Sequence, residues 1–255
     1  MSEQLQSDFD KIIKTSKFSN EEIQFKKNFL NNFIKKGFPN RKLEDWKFLD
    51  ISQIIKKNIS GLSFFNDYSQ SNKIDPSIFV DGLKHNKIIF INGRIEKIDF
   101  NFEDQNKIEI INETKKDISF DYDNSLIDLN SAFTDKVFKI LIKKNYTLKK
   151  PLIIYHSTND KIESTNINLR LDFELGENSC LKLIDYFTNN TEKNFINIFY
   201  NFNLEKDSIL KNYKIDKFKN NNLKYSFNNI EQDKNSVSET FILSAGSDYF
   251  KNEIN

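Results

Sequence analysis

The side chains that ordinarily do chemistry are few and scattered in this chain. His85 and His156 are the only histidines and Cys180 the only cysteine among 255 residues. A metal site needs three or four His, Cys, Asp or Glu ligands that converge, commonly on spacings such as C-x-x-C or H-E-x-x-H. Neither spacing occurs, and the two histidines have no acidic or cysteine companion at ligand spacing. Asp121 and Asp123 are candidate paired carboxylates for acid–base work. They sit in an acidic, irregular stretch without a third partner, which favours solvated loop charges. Gly176-Glu177-Asn178-Ser179-Cys180 has the outline of a turn that presents a serine nucleophile, but the closing glycine is missing. Phosphate-cradling runs of the G-x-x-x-x-G-K-[ST] or G-x-G-x-x-G type are absent. These positions predict no catalytic, cofactor-binding or metal-binding residue, and no cofactor held by this segment alone. Trp46, the only tryptophan, reads as the anchor of a short helix, because burying so large a ring outweighs several smaller contacts.

The elements that would position any of these residues change character along the chain. The first sixty residues read as helical. Leu5, Phe9, Ile12 and Ile13 share one helical face, and Phe18-Ser19-Asn20-Glu21-Glu22-Ile23 carries a capping box, with Phe18 against Ile23 as a hydrophobic staple. Phe29, Leu30, Phe33 and Ile34 continue at helical spacing to Gly37, and Pro39 stops the helix. A shorter helix is predicted over 44–55. From about residue 61 strands take over. Ile88-Ile89-Phe90-Ile91 before Asn92-Gly93 predicts a buried strand entering a tight turn, with Ile95 and Ile98 on the return. Residues 101–124 are acidic and irregular, with Ile108, Ile110 and Ile111 marking a candidate strand, and 126–133 reads as one or two helical turns. The organisation expected is a helical region over 1–60, a mixed strand and loop region over 61–125, and a β core over 126–255.

The β core contains an internal repeat. Gly176 to Lys182, Glu205 to Lys211 and Gln232 to Ser238 align on Ser179, Ser208 and Ser236, whose spacings are 29 and 28 residues. Upstream, Leu169, Leu171, Phe173 and Leu175 match Ile198, Tyr200, Phe202 and Leu204, while the third copy keeps only Phe227 and Ile230 nearby. Each unit is an alternating strand, a polar turn ending in Ser, and a second strand. Such a unit must stack on its neighbours to bury an apolar face, which is the logic of a β-solenoid. A sandwich or barrel with similar hairpins is the alternative. In this alignment Cys180 stands where Ile209 and Val237 stand, so its plainer role is a small packed side chain rather than a reactive thiol.

Composition excludes some functions. Thirty-eight basic against 37 acidic residues leave a formal charge of +1, too little for binding to nucleic acid or anionic lipid by bulk electrostatics. Hydrophobic residues are only 38%, but 25 Phe compensate in area buried per residue. Only three basic residues are arginine, and this excess of Lys and Asn follows AT-rich codons. The Asn-rich patches and the N-x-[ST] sequons at Asn58, Asn112, Asn145 and Asn189 are therefore background. No run approaches 18 apolar residues, and the N-terminus has no signal-peptide pattern. With one cysteine and no internal disulfide, a cytoplasmic location is expected.

Five segments, in order, resemble the SufB/SufD family of SUF iron–sulfur cluster assembly subunits. Phe38-Pro39-Asn40-Arg41-Lys42-Leu43-Glu44-Asp45-Trp46-Lys47-Phe48 is similar to the P-x-R-x-x-E-x-W-[KR]-[YF] segment near the N-terminus of its SufD branch. Phe90-Ile91-Asn92-Gly93 resembles F-[VI]-N-G, Leu129-Asn130-Ser131-Ala132-Phe133 resembles L-N-x-A-F, and Pro151-Leu152-Ile153-Ile154 resembles P-[IL]-x-[IL]. Leu175-Gly176-Glu177-Asn178-Ser179-Cys180-Leu181-Lys182-Leu183-Ile184-Asp185 matches L-G-x-[NG]-[AS]-x-L-x-L-[IV]-E. The resemblance spans roughly 38–255. It implies a helical region followed by a right-handed parallel β-helix, and a non-enzymatic scaffold that pairs with a SufB-like subunit and a SufC-like ATPase. That scaffold would support building a cluster in the assembled complex and passing it to apo-proteins. Residues 247–254 resemble a strand in the middle of the family's core, so a β-helix incomplete at its C-terminus is expected, with the family's late cluster-associated residues outside this chain. Two other readings are a secreted-type β-helix enzyme acting on polysaccharide and a purely structural β-solenoid.

Overall fold

Local sequence signals set the helical region. The computed structural model describes residues 2–59, 61–66, 73–113, 123–159, 162–189, 191–217, 222–246 and 249–255. Helix α1 (Ser2–Thr15) buries Leu5, Phe9 and Ile12. Helix α2 (Asn20–Lys36) begins with the expected capping box: the Glu22 N–H donates to Ser19 Oγ at 3.3 Å and the Ser19 N–H to Glu22 Oε2 at 2.6 Å. It ends at Gly37, whose φ of +71° suits a residue without a Cβ. The single helix expected over 44–55 is instead a 3-10 turn, Glu44–Trp46, followed by helix α3 (Ile51–Asn58). The break comes from Asp50, whose carboxylate accepts from the Gln53 N–H at 3.0 Å and starts a new helix there.

Strand β1 (Asn86–Ile91) and strand β2 (Arg94–Asp99) form the expected hairpin, with Asn92 and Gly93 both at positive φ in its tight turn. The candidate strand in the acidic stretch is β3 (Ile108–Glu113), and helix α4 (Ser125–Phe133) occupies the expected helical turns. Asp121 lies outside the described residues.

From residue 137 to 254 the chain winds about four coils of a parallel β-solenoid with two strands per coil. Strands β4 (Val137–Ile142), β6 (Asn166–Leu175), β8 (Phe195–Leu204), β10 (Leu223–Gln232) and β12 (Tyr249–Ile254) stack in parallel. β3 is added antiparallel at the β4 end of this first sheet. Strands β5 (Leu152–Thr158), β7 (Cys180–Asn189), β9 (Ile209–Lys217) and β11 (Val237–Ala245) form the second sheet, extended by β1 and β2.

The register reproduces the repeat read from sequence. Leu169, Leu171, Phe173 and Leu175 pair with Ile198, Tyr200, Phe202 and Leu204, and all eight are buried between the sheets. The third copy differs: Phe227 pairs with Phe199 on the outer face, and only Ile230, opposite Phe202, points to the interior. Each coil's polar turn places an Asn or Asp just before the serine at positive φ: Asn178 (+56°), Asp207 (+57°) and Asn235 (+59°), with Asn145 (+56°) stacked one coil earlier. Asn and Asp enter this left-handed region at least cost among residues with a Cβ. The turns stack through Asn145 N–H to Glu177 O (2.7 Å), Asn178 N–H to Lys206 O (3.1 Å) and Asp207 N–H to Lys234 O (3.0 Å). Gly176 is required by close approach, since a Cβ there would sit 2.6 Å from the Lys144 nitrogen.

The helical region covers the outer face of the first sheet. Phe9, Leu30, Phe33, Phe38 and Trp46 join Leu126, Leu129 and Phe133 of α4 against the outward Phe195, Phe199, Tyr225 and Phe227. The Trp46 ring packs 5.6 Å from the Tyr225 ring, tilted 40° to it, so it fastens the helical region to the solenoid rather than only its own short turn. Asn130 of α4 donates to the backbone carbonyls of Leu169 (3.1 Å) and Asn197 (2.9 Å). Lys26 reaches from α2 to the carbonyls of Ser131 and Thr134 at the end of α4. Burial pulls the Lys26 ammonium down to about 8 against the pull of Asp135 and Glu22. Among the described residues no helix is long and apolar enough to cross a membrane.

Candidate functional site

The densest group of titratable side chains lies inside the solenoid. Inward positions of the second sheet place Ile154, Asp185 and Lys214 in one row and His156, Phe187 and Asp216 in the next. Across the interior stand Tyr200 on β8 and Lys224 and Ser226 on β10. All of these polar side chains are buried.

Asp185 is the hub. His156 Nε2 lies 2.7 Å from its Oδ1, and the Tyr200 hydroxyl donates to its Oδ2 at 2.5 Å. Lys214 Nζ is 3.6 Å from the same oxygen, 3.4 Å from Ser226 Oγ and 3.4 Å above the Tyr200 ring centroid. One step further, Lys224 Nζ pairs with Asp216 Oδ1 at 2.6 Å and lies 3.8 Å over the Phe187 ring. His156 is stacked between Phe187 (4.1 Å) and Phe90 (5.3 Å). Two carboxylates face two ammoniums, so the enclosed charge balances with the imidazole neutral.

The titration behaviour follows from this enclosure. Burial opposes ionisation of Asp185, but His156, Lys214 and Lys224 together hold its carboxyl well below the usual range. Burial, helped by the two lysines, pushes the His156 imidazole down, so its Nε2–H serves as a neutral donor to Asp185. Lys214 is lowered to about 8, with burial outweighing the carboxylates. Burial and the adjacent Asp185 raise the Tyr200 phenol well above its ordinary value. The network can hold and redistribute protons among fixed partners, and a substrate would reach it only if the coils opened.

This cluster corrects one expectation. His156 does have an acidic companion, Asp185, 29 residues along the chain. That distance is one repeat length, so the signal was present: in a solenoid, residues one coil apart are neighbours. The other positions weighed from sequence do not assemble. His85 sits on the outer side, its Nδ1 2.6 Å from Leu83 O and its Nε2 2.8 Å from the Tyr155 hydroxyl. Cys180 opens β7 in register with Ile209, half-buried with a free thiol, and Ser179 belongs to the stacked turn. Asp123 forms an ion pair with Lys36 at 2.9 Å. Among the described residues no group of three or more His, Cys, Asp or Glu gathers to hold a metal. Neither a scan against protein-family models nor a search of the curated proteins finds a match to this chain.

Proposed function

We propose that this chain is a scaffold subunit of SUF-type iron–sulfur cluster assembly, related to the SufB/SufD family and working in the cytosol. It would pair with a SufB-like subunit and a SufC-like ATPase, which act with it on clusters destined for apo-proteins. The observation that carries the reading is an order: a helical region, then a parallel β-solenoid, with the five resembling segments distributed along both. Their placement is coherent with structural duty in such a family. Trp46 and Phe38 fasten helices to sheet, Asn130 clamps α4 to two strands, and Gly176 allows one turn to lie against the next. A titratable cluster enclosed within the coils is consistent with a scaffold and offers no open site to a polysaccharide.

The test is co-expression of the chain with SufB-like and SufC-like subunits. Stable co-purification with at least one of them is expected. Failure to associate with either, together with cleavage of an acidic polysaccharide, would replace this reading with the enzymatic one.

A further inference from the structure

The outer face of the second sheet carries two apolar rows that run the length of the solenoid. Register places Ile153, Ile184, Tyr213 and Phe241 in one row and Tyr155, Tyr186, Ile215 and Leu243 in the other. The near half is roofed by the chain itself. Residues 74–80, with a 3-10 turn at Pro76–Ile78, lie over it, and Ile74, Ile78, Phe79 and Val80 pack with Ile153, Tyr155, Ile184 and Tyr186. This strap is tied down by the Val80 N–H, which donates to the Tyr155 hydroxyl at 3.2 Å, and by the Phe79 ring edge-on to Tyr155 at 5.2 Å.

Among the described residues no segment roofs the far half. Ile153 and Tyr155 are 0% exposed, whereas Tyr213 is 40%, Phe241 57% and Leu243 53% exposed. A solenoid repeats its geometry from coil to coil, so the far rows offer the same spacing of aromatic and aliphatic side chains that the strap already occupies. Exposed large apolar side chains gathered on one face mark an interaction site. Lys182 and Lys217 flank the apolar rows on either side, while Lys211, in the row of Lys182, is paired with Glu239 of β11 at 3.3 Å. The strap itself carries Asp75 and Asp81 beside its apolar residues.

From this continuity and this charge pattern we infer that the far half of the second sheet docks an extended, strap-like segment of a partner protein, apolar in its middle and flanked by carboxylates. The inference is independent of the proposed assembly function. It concerns an outward sheet face and not a strand edge.

The probe is a fluorescein-labelled peptide of residues 73–83, titrated by anisotropy against the full chain. Saturable binding is expected. It should weaken at least tenfold in Phe241→Ser/Leu243→Ser and severalfold in Lys182→Glu/Lys217→Glu, while a scrambled peptide does not bind. Should the edge-strand variant lose its native circular dichroism, Tyr213→Ser in the interior strand β9 takes its place, with the same tenfold loss expected. Absence of saturable binding overturns the inference, and so does equal affinity for wild type and variants, which would place the peptide at the strap's own site. Self-association in sedimentation velocity that Phe241→Ser/Leu243→Ser abolishes also overturns it, by making this face a contact between copies.

Discussion

The solenoid interior has two unlike halves built on one backbone repeat. Between β4, β6 and β8 on one side and β5 and β7 on the other, the filling is largely Ile, Leu and Phe, apart from His156, Asp185 and Tyr200, which belong with the polar half. Between β9 and β10 it becomes Asn212, Lys214 and Asp216 facing Lys224, Ser226 and Asn228, all buried. The apolar half needs only shape and volume, because dispersion and water exclusion are non-directional. The polar half needs named partners, since each enclosed charge is tolerated only while its counter-charge is in place. Equal burial therefore produces different failure modes. In one half a truncated side chain leaves a void, and in the other it leaves an orphaned charge.

Breaking the hub of the polar half has the largest expected effect. Asp185→Ala removes the acceptor of His156 and Tyr200 and the nearest carboxylate to Lys214, and loss of one member of a buried ion pair costs about 3–5 kcal/mol. Urea denaturation measures it, and a cost below about 1 kcal/mol would show that the network adds nothing as a unit. Removing both charges by Asp185→Leu with Lys214→Met should restore part of the loss, because no ammonium is then left without its carboxylate, while the His156 N–H and the Tyr200 hydroxyl still lack their acceptor. On the apolar side Leu171→Ala, at a fully buried position, is expected to cost about 2–5 kcal/mol through transfer and cavity terms. No second substitution of a charged partner would rescue that variant.

A smaller effect is expected where the two halves share the same turn geometry. Gly176→Ala would drive a Cβ to 2.6 Å from the Lys144 backbone nitrogen, and the required shift costs about 1–3 kcal/mol. Thermal unfolding of this variant, read against Leu171→Ala, separates turn stacking from core filling. A melting temperature equal to wild type would mean that the stacked turns yield freely.

The same contrast explains what the sequence made visible. Alternating Leu169, Leu171, Phe173 and Leu175 announced both the strand and its inward face, and their alignment with Ile198, Tyr200, Phe202 and Leu204 is the observed register. The capping box at Ser19 and Glu22 and the Asn92-Gly93 turn were equally legible, because each is a local signal with a local cause. The third copy was not. Its inward positions are Lys224, Ser226 and Asn228, which carry no apolar alternation, so Phe227 drew attention to what is in fact the outer face. The ionic cluster was hidden for the same reason: its members come from several strands and are joined only by coil stacking. A search for titratable residues one repeat apart would have joined His156 to Asp185. It would not have found Tyr200 or Lys224, which reach the cluster from the opposite sheet.

The smallest and most discriminating effect is a dependence on pH that only the polar half has. The His156 imidazole is pushed below its ordinary 6.5 by burial, so below that pH the unfolded chain takes up a proton that the folded chain refuses. Stability from this group is full above 6.5 and declines as the pH falls. Asp185, held below its ordinary 3.8, adds a second stage: its stabilising share is present above 3.8 and is lost as the pH drops further. Lys214, lowered to about 8 from 10.5, acts at the other end, since the penalty for its buried charge is relieved as the pH rises through 8. His156→Gln keeps an N–H donor for Asp185 and does not titrate. Urea midpoints of this variant should fall less than those of wild type as the pH drops below 6.5. Leu171 lies beside Tyr200, whose phenol titrates only far above this range, and Leu171→Ala should keep the wild-type slope throughout. If His156→Gln and Leu171→Ala lose stability in parallel from about pH 6.5 downward, the imidazole is not the group that distinguishes the two halves.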